Sequence, residues 1–567
     1  MRRDVVDTLP PFLSARLTEA PTASRSEIGT TERVEMADGL GPSLALVERV
    51  FAFYDNLPRK PKPREECLRL VGGRGPSEVQ KLLAKLQPAW ADHAIASVYA
   101  RLMPARRRKR LGVYFTPPHL VAHLIRRMRE VGLDTGLHHL RDPSAGGAAF
   151  LVPLAREMVG SWKAERVRRA TIIKRLRDRL WGKEIDRGLA SVANALVRRM
   201  LVSEFGFSPR DVSSLSLVRV GDSLRQPDRR QSDHEIGNPP YLRLDAAQQR
   251  AWRARFADIA DGRLNLYAMF VRRAVNEARV GGLVGHIVPA SFLGGPEFRS
   301  FRQRISELAE ILVLDVVQKR RDVFLDVTQD ACFIILRRRA VPDKSASAST
   351  AASGVLKPDG TFVPIGCALL PTDGAPWSLP GAKANAANRA SLADYGYRGT
   401  VGYLVANRQG ERLHSRPAKG RVPLVWAKCV KPDGSFDFDR GRKSEKANGL
   451  AFVEVPKGAS YVIRTACVAV QRTSSSSQPR RLVAAAVPRS FVQRHGGIVG
   501  ENHVILLVPM RRTAVSPTKL AAVLNGGEAS AALARISGSA SISVRVLEGI
   551  PLPRRHGVRP KSKRRPL

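Results

Sequence analysis

The sequence predicts an α/β protein: an open, mainly parallel sheet wound with crossover helices, followed by a mixed, β-rich domain. Two observations carry this. Between about residues 105 and 338, short apolar runs alternate with amphipathic helical segments, the pattern of strand–crossover–strand units. Beyond the Ser/Ala-rich stretch PDKSASASTAASG (342–354), Val/Ile/Leu runs become shorter and are separated by Gly, Pro and Ser. A third observation concerns function: acidic or polar residues close successive apolar runs, where open α/β sheets present their ligand-binding loops.

Composition narrows the partner. Lys and Arg outnumber Asp and Glu by 94 to 51, a net charge of +43, which points to a polyanion such as nucleic acid. With 567 residues, 43% of them hydrophobic, the chain has material for roughly three to four domain-sized units with real cores. Cys67, Cys332, Cys367, Cys429 and Cys467 form no CxxC and no pairing with histidine, so no disulfide framework and no metal site is expected. The opening MRRDVVDTLPPFLSARL lacks the apolar core of a secretory leader, and no run reaches the length of a membrane span. A soluble cytoplasmic protein is expected.

In chain order, residues 1–100 read as a loose helical region without a legible role, from pieces such as PSEVQKLLAKLQ and HAIASVYARLM. After ARRRKR (105–110), the segment LGVYFTPPHLVAHLIRRM predicts a helix with Thr116 at the N-cap, prolines in its first turn, and a buried stripe of Leu120, Val121, Leu124, Ile125 and Met128. LRDPSAGGAAFL (140–151) reads as a strand ending in an acidic residue, a turn of small residues and a helix, which lets a ligand approach the backbone. RLWGKEIDRGLASVANALVRRML (179–201) places Glu184 at the tip of the next strand, suited to ribose hydroxyls. VRVGDSL places Asp222 at another tip, to receive an adenine amine or to cap the following turn. HEIGNPPYLRL then sets Asn238, Pro239, Pro240 and Tyr241 at a fourth tip, as a turn or as a reaction centre.

The order FTPP, DPSAGGAAFL, GKEID, GDSL, GNPPY resembles the adenine-N6 DNA methyltransferases of the gamma group, the TaqI-like modification enzymes of restriction-modification systems. The resemblance spans roughly residues 105 to 510. It implies a Rossmann-like class I S-adenosylmethionine-dependent methyltransferase domain at 101–340 and a DNA target-recognition domain at 386–550, whereas composition alone reads 341–385 as a linker or surface loop and 551–567 as a basic tail. Carried over position by position, it implies that Thr116 and Pro117 close over the methionine end of S-adenosylmethionine. Asp142, Pro143 and Gly146 would surround its amino-acid part, Glu184 would hold the ribose, and Asp222 the adenine. Asn238, which also borders the cofactor, Pro239, Pro240 and Tyr241 form the reaction centre, and Phe324 is a second aromatic against the target base. The family loop commonly reads Asp-Pro-Ala-Cys-Gly-Ser-Gly. Here Ala148 stands at the second glycine position, and Gly147 beside it is expected to absorb the turn geometry.

Adenine's amino nitrogen is a poor nucleophile because its lone pair is delocalised. Two acceptors, the Asn238 carboxamide oxygen and the Pro239 carbonyl, would draw it toward a tetrahedral shape, while Tyr241 stacks on a base flipped out of double-stranded DNA. Arg472, Thr473, Arg480 and Arg481 are the expected DNA contacts. The protein is expected to act as a monomer, with a separately encoded cognate restriction endonuclease as a further partner. No cysteine follows a proline, so attack at cytosine carbon-5 is excluded. The alternatives left open are methylation of the cytosine amino group, a protein glutamine methyltransferase, and a non-catalytic DNA-binding specificity protein with a decayed methyltransferase fold. For a single-chain restriction enzyme, no Pro-Asp followed by Glu-x-Lys occurs at suitable spacing.

Overall fold

The computed structural model of the protein describes residues 32–33, 40–111, 115–226, 231–317, 331–345, 348–379, 389–473, 480–510, 515–536 and 542–554. The chain forms two compact units, Met1–Phe292 with Glu297–Pro380, and Leu293–Pro296 with Gly381–Leu567.

The first unit is built on a sheet whose principal strands are β1 (Leu140–Asp142), β2 (Leu180–Glu184), β3 (Val218–Val220), β4 (His234–Gly237), β5 (Leu283–Pro289), β6 (Ala309–Val317), β7 (Ala331–Arg338), β8 (Ala348–Leu356) and β9 (Thr361–Pro371). They lie in the order β3-β2-β1-β4-β5-β7-β6-β8-β9, and Glu32–Arg33 extends the edge beside β9. β3 through β5 are mutually parallel, whereas β7 runs antiparallel to both β5 and β6. This is the predicted Rossmann-like arrangement of a mainly parallel sheet. All seven residues of β5 are buried, as befits a strand covered on both faces. Chain direction reverses its progress across the sheet between β1 and β4, which opens a crevice at their carboxyl ends.

Register brings the predicted tips together. Asp142 lies opposite Gly182 on β2, and Glu184 lies opposite Val220 on β3. The N-terminal helices α1 (Leu40–Asp55), α2 (Pro63–Val71), α3 (Ser77–Ala84), α4 (Pro88–Leu102) and α5 (Ala105–Leu111) precede α6 (Pro118–Glu130), α7 (Leu151–Ala164), α8 (Arg169–Arg179) and α9 (Arg187–Phe205). The expected stripe of α6, Leu120, Val121, Leu124, Ile125 and Met128, is buried. Its first helical residue, however, is Pro118 with Pro117 at the cap position. Thr116 therefore does not cap the helix, and its hydroxyl is free for another role.

Two further expectations change. The N-terminal stretch reads as loose in sequence, yet Val47, Phe51, Trp90, Ile95 and Val98 share one hydrophobic core with Leu189, Val192 and Leu196 of α9. Helices this short are marginal alone, and docking on α9 supplies what local propensity lacks. The Ser/Ala-rich stretch expected to be a linker forms β8, parallel to β6 and antiparallel to β9. Small side chains such as Ala351 and Ser353 suit a buried position, and the open edge of β6 supplies the hydrogen-bond partners that composition cannot reveal.

In the second unit, β10 (Tyr397–Val401), β14 (Cys467–Gln471), β15 (Ala484–Val487) and β17 (Val504–Pro509) form one antiparallel sheet in the order β10-β17-β14-β15. A second, four-stranded sheet contains β11 (Leu413–His414), β12 (Arg421–Val425), β13 (Phe452–Glu454) and β16 (Val499–Gly500). The period of two explains the short apolar runs. Val468 and Val470 enter one core with Ile505 and Leu507, while Cys467 and Ala469 enter another with Val504 and Leu506. Residues 555–567 of the basic tail lie outside the described residues.

Candidate functional site

The carboxyl ends of β1, β2, β3 and β4 carry the predicted residues on one edge of the sheet. Glu184 ends β2 and is 8% exposed. Its Oε2 accepts the Gly146 amide at 2.9 Å, and its Oε1 accepts the Asp186 amide at 2.9 Å. Burial nevertheless pushes its carboxyl up to about 7. Asp142 is more deeply placed, accepts the Ser144 amide at 3.0 Å, and is pushed up by burial to about 8. Asp222 accepts the amides of Leu224 at 2.9 Å and Arg225 at 3.3 Å, so it caps the following turn. Ion pairing with Arg225 Nε at 3.4 Å occupies its other oxygen.

Asn238 follows β4 directly. Its Nδ2 donates to Thr116 Oγ1 at 3.0 Å, which fixes the plane of the carboxamide. The opposite atom, Oδ1, is buried and has no hydrogen-bond partner among the described residues. An acceptor held dry and unpaired costs roughly 1 to 3 kcal/mol, which a ligand's N–H would offset. The Ser144 hydroxyl donates to the Asn238 carbonyl at 3.2 Å and ties the β1 loop to this segment. Tyr241 is half-buried, its hydroxyl donating to the Ile287 carbonyl at 3.2 Å and its ring edge-on to Tyr267 at 6.4 Å. That hydroxyl anchors the ring, a role the sequence does not announce. Pro239 and Pro240 complete the loop without amide donors of their own.

The turn after Asp142 departs from expectation in one respect. Gly146 has φ 51° and Ala148 has φ 63°, while Gly147 lies outside the positive-φ region. Gly147 therefore does not absorb the geometry; its missing Cβ makes room for the Ala96 methyl of α4. Ala148 itself bears the left-handed conformation, at a cost of roughly 1 to 2 kcal/mol, and is fully buried. A β-branched side chain there would meet both strain and overpacking. Ala148→Val is expected to lower stability by at least about 2 kcal/mol in urea unfolding. Ala148→Gly should stay within about 1 kcal/mol of the parent, because relief of strain is offset by lost methyl burial and a freer unfolded chain.

Directly beneath the edge, Arg141 on β1 lies opposite Glu235 on β4 and donates from Nε at 2.8 Å. Burial works against the Glu235 carboxylate, but Arg141, His286 and Arg273 together outweigh it and hold the group at about 2. Two neighbouring buried acids thus diverge: Glu235 is paired and ionised, whereas Asp142 lacks a cation and is driven toward neutrality.

Sequence reasoning missed two apolar side chains at the same edge. Ile185, next to Glu184, is 54% exposed, and Val220, at the tip of β3, is 51% exposed. Standing in solvent beside a dry carboxylate, they offer a flat apolar surface to a ring. The available signal was an apolar residue immediately after, or at, each acidic strand tip. Phe324 lies outside the described residues. Arg472 follows β14 and donates from Nη1 to the Asn502 carbonyl at 3.0 Å; Thr473 is exposed beside it. Arg480 is exposed and donates to the Asn525 carbonyl at 3.1 Å, and Arg481 adjoins it. These four flank residues 474–479, which lie outside the described residues. Among the described residues, no cluster of three or more His, Cys, Asp or Glu could hold a metal ion, and no helix is long and apolar enough to cross a membrane.

The Eco57I restriction-modification methylase family model matches residues 228–324, the stretch that contains Asn238 through Tyr241. The Type II methyltransferase M.PaeR7I of Pseudomonas aeruginosa is 30% identical over 174 residues, 29% of this chain and 30% of that protein. The Type II methyltransferase M.BsuBI of Bacillus subtilis is 26% identical over 318 residues, 52% of this chain and 59% of that one. The chain thus spans from under a third to about three fifths of the length of these relatives. Among solved structures, the DrdV–DNA complex aligns with a TM-score of 0.48 and 11% identity, covering 83% of this chain and 63% of that chain.

Proposed function

We propose that the chain is a site-specific DNA methyltransferase of a restriction-modification system, acting on the N6 amino group of an adenine flipped out of double-stranded DNA. The observation that carries this reading is Asn238 Oδ1, a buried acceptor without a partner, held in position from the other end of its carboxamide by Thr116.

S-adenosylmethionine supplies an electrophilic sulfonium methyl when bound. The residues at the sheet edge suit it: Glu184 presents a dry carboxylate for ribose hydroxyls, and Ile185 and Val220 offer apolar faces for the adenine ring. Asp222 receives the adenine amine with the acceptor capacity its turn leaves over, and Thr116, Pro117, Asp142, Pro143 and Gly146 enclose the amino-acid end. Asn238 and the Pro239 carbonyl take the two hydrogens of the target amino group. This acceptance favours a tetrahedral nitrogen, frees its lone pair for in-line attack, and needs no covalent enzyme intermediate. Tyr241, braced by Ile287, receives the face of the extruded base, which offsets part of the unstacking cost of a few kcal/mol. The second unit is the target-recognition domain, with Arg472, Thr473, Arg480 and Arg481 at the DNA, and the net charge of +43 supplies the phosphate affinity.

Methyl transfer from labelled cofactor to duplex DNA, followed by nucleoside analysis, tests the proposal. Label in N6-methyladenine is expected. Label on the cytosine amino group or on protein glutamine would replace the substrate named here, and absence of any transfer by a cofactor-binding protein would favour a binding role.

A further inference from the structure

Helix α4 turns one face toward the segments that carry the candidate site. His93, Ala96 and Tyr99 recur at intervals of three residues and so lie on one side of the helix. Each meets a different site segment. The His93 ring, kept neutral by burial, which holds it down at about 4, faces the backbone of Thr116. Ala96 fills the space left by the missing side chain of Gly147. The Tyr99 hydroxyl donates to Asp186 Oδ1 at 2.6 Å.

The third contact reaches furthest. Asp186 caps α9 by accepting the Leu189 amide at 3.0 Å, and a cap needs no more than that. Here the same carboxylate also takes the Tyr99 hydroxyl on Oδ1 and Arg107 Nη2, from α5, on Oδ2 at 2.7 Å. The amide of Asp186 in turn donates to Glu184 Oε1. Gly188 completes the arrangement, because a Cβ there would strike the Tyr99 hydroxyl. Residues 79 and 87 positions away in the chain are thus used to over-determine the two-residue loop between β2 and α9. Burial works against the Asp186 carboxylate, but the Tyr99 hydroxyl, the Leu189 amide and Arg107 outweigh it and keep the group below the ordinary Asp range. The acceptor is therefore ionised, and both bonds to it are charge-assisted.

We propose that Tyr99 and Arg107 are positioning residues for the cofactor site, setting the Glu184 carboxylate through Asp186, and that the N-terminal helices are part of the cofactor-binding machinery. The inference rests on the reading that Glu184 holds the cofactor's ribose. Neither residue touches the cofactor; they act by fixing the backbone from Glu184 to Gly188.

Tyr99→Phe retains the ring and its packing and removes only the hydroxyl. Arg107→Ala tests the same carboxylate from a half-exposed side chain whose loss does not threaten folding. For each variant, calorimetry gives the dissociation constant for S-adenosylmethionine, steady-state kinetics separate KM for the cofactor from kcat, and hydrogen exchange follows the amides of residues 185–189. The expected result is a five- to tenfold weaker dissociation constant and a matching rise in KM. Exchange at 185–189 should be faster, kcat should stay within twofold, and Arg107→Lys should recover most of the affinity. Parent-like cofactor affinity in both variants, with the parent binding normally, would overturn the positioning role and leave the cofactor reading intact. Equal losses in kcat, DNA binding and melting temperature would show general packing and would likewise overturn it. A parent protein that binds no S-adenosylmethionine would remove the reading of Glu184, and this inference with it.

Discussion

Asn238→Ala is expected to lower kcat for methyl transfer about a hundredfold to a thousandfold, the usual consequence of removing one acceptor aimed at charge that develops in the transition state. DNA affinity should be unchanged, because the proposed DNA contacts, Arg472, Thr473, Arg480 and Arg481, do not include this residue. Cofactor affinity should fall only a few-fold, through release of the Thr116 hydroxyl that now accepts from the Asn238 amide. The loss belongs to kcat because Oδ1 gains most as the amino nitrogen becomes tetrahedral. Tyr241→Ala should differ in kind: it weakens capture of the extruded base by about 1 to 3 kcal/mol and leaves the rate at saturating DNA closer to the parent. Single-turnover transfer measured beside DNA binding separates the two. A parent-like rate in Asn238→Ala would end the assignment of this residue as the activating acceptor.

The second large effect is at Glu184. On the proposed assignment, in which this carboxylate accepts two ribose hydroxyls, its removal should weaken S-adenosylmethionine by about a hundredfold or more, at roughly 1.5 to 3 kcal/mol for each charge-assisted bond. A pH dependence accompanies it. Burial raises Glu184 from 4.5 to about 7, and Asp142 from 3.8 to about 8, in the folded chain. The two groups therefore favour the folded, cofactor-free protein most below about pH 4, and that contribution is lost as pH rises through 7 and 8. Cofactor binding runs the other way, since the ribose needs the ionised carboxylate as acceptor. Between pH 7.5 and 5.5, affinity should drop by roughly 25-fold from Glu184 alone, following its ionised fraction. Glu184→Gln should bind weakly at all pH values and lose that part of the slope. Calorimetry across this range is decisive: a slope that Glu184→Gln retains unchanged would assign the proton to another group.

What the sequence by itself determined is local and periodic. An amphipathic stripe identifies α6, and Asp142, Glu184, Asp222 and Asn238 each stand where an apolar run gives way to a turn, so a sheet edge with polar tips could be read without coordinates. Such features depend on residues near in sequence, through the helical and strand periods and the conformational limits of proline and glycine. The tertiary structure decided what depends on distant partners. It moved Thr116 from a helix cap to the Asn238 carboxamide, turned a Ser/Ala-rich stretch into β8 because β6 offered an open edge, and placed the left-handed turn on Ala148 so that Gly147 could meet α4. It also made the N-terminal helices part of the first unit, through contacts such as Tyr99 to Asp186 across 87 residues. Composition carries no record of such pairings: a buried hydroxyl, an orphaned amide oxygen or a shifted carboxyl acquires its energy from the groups that folding brings beside it.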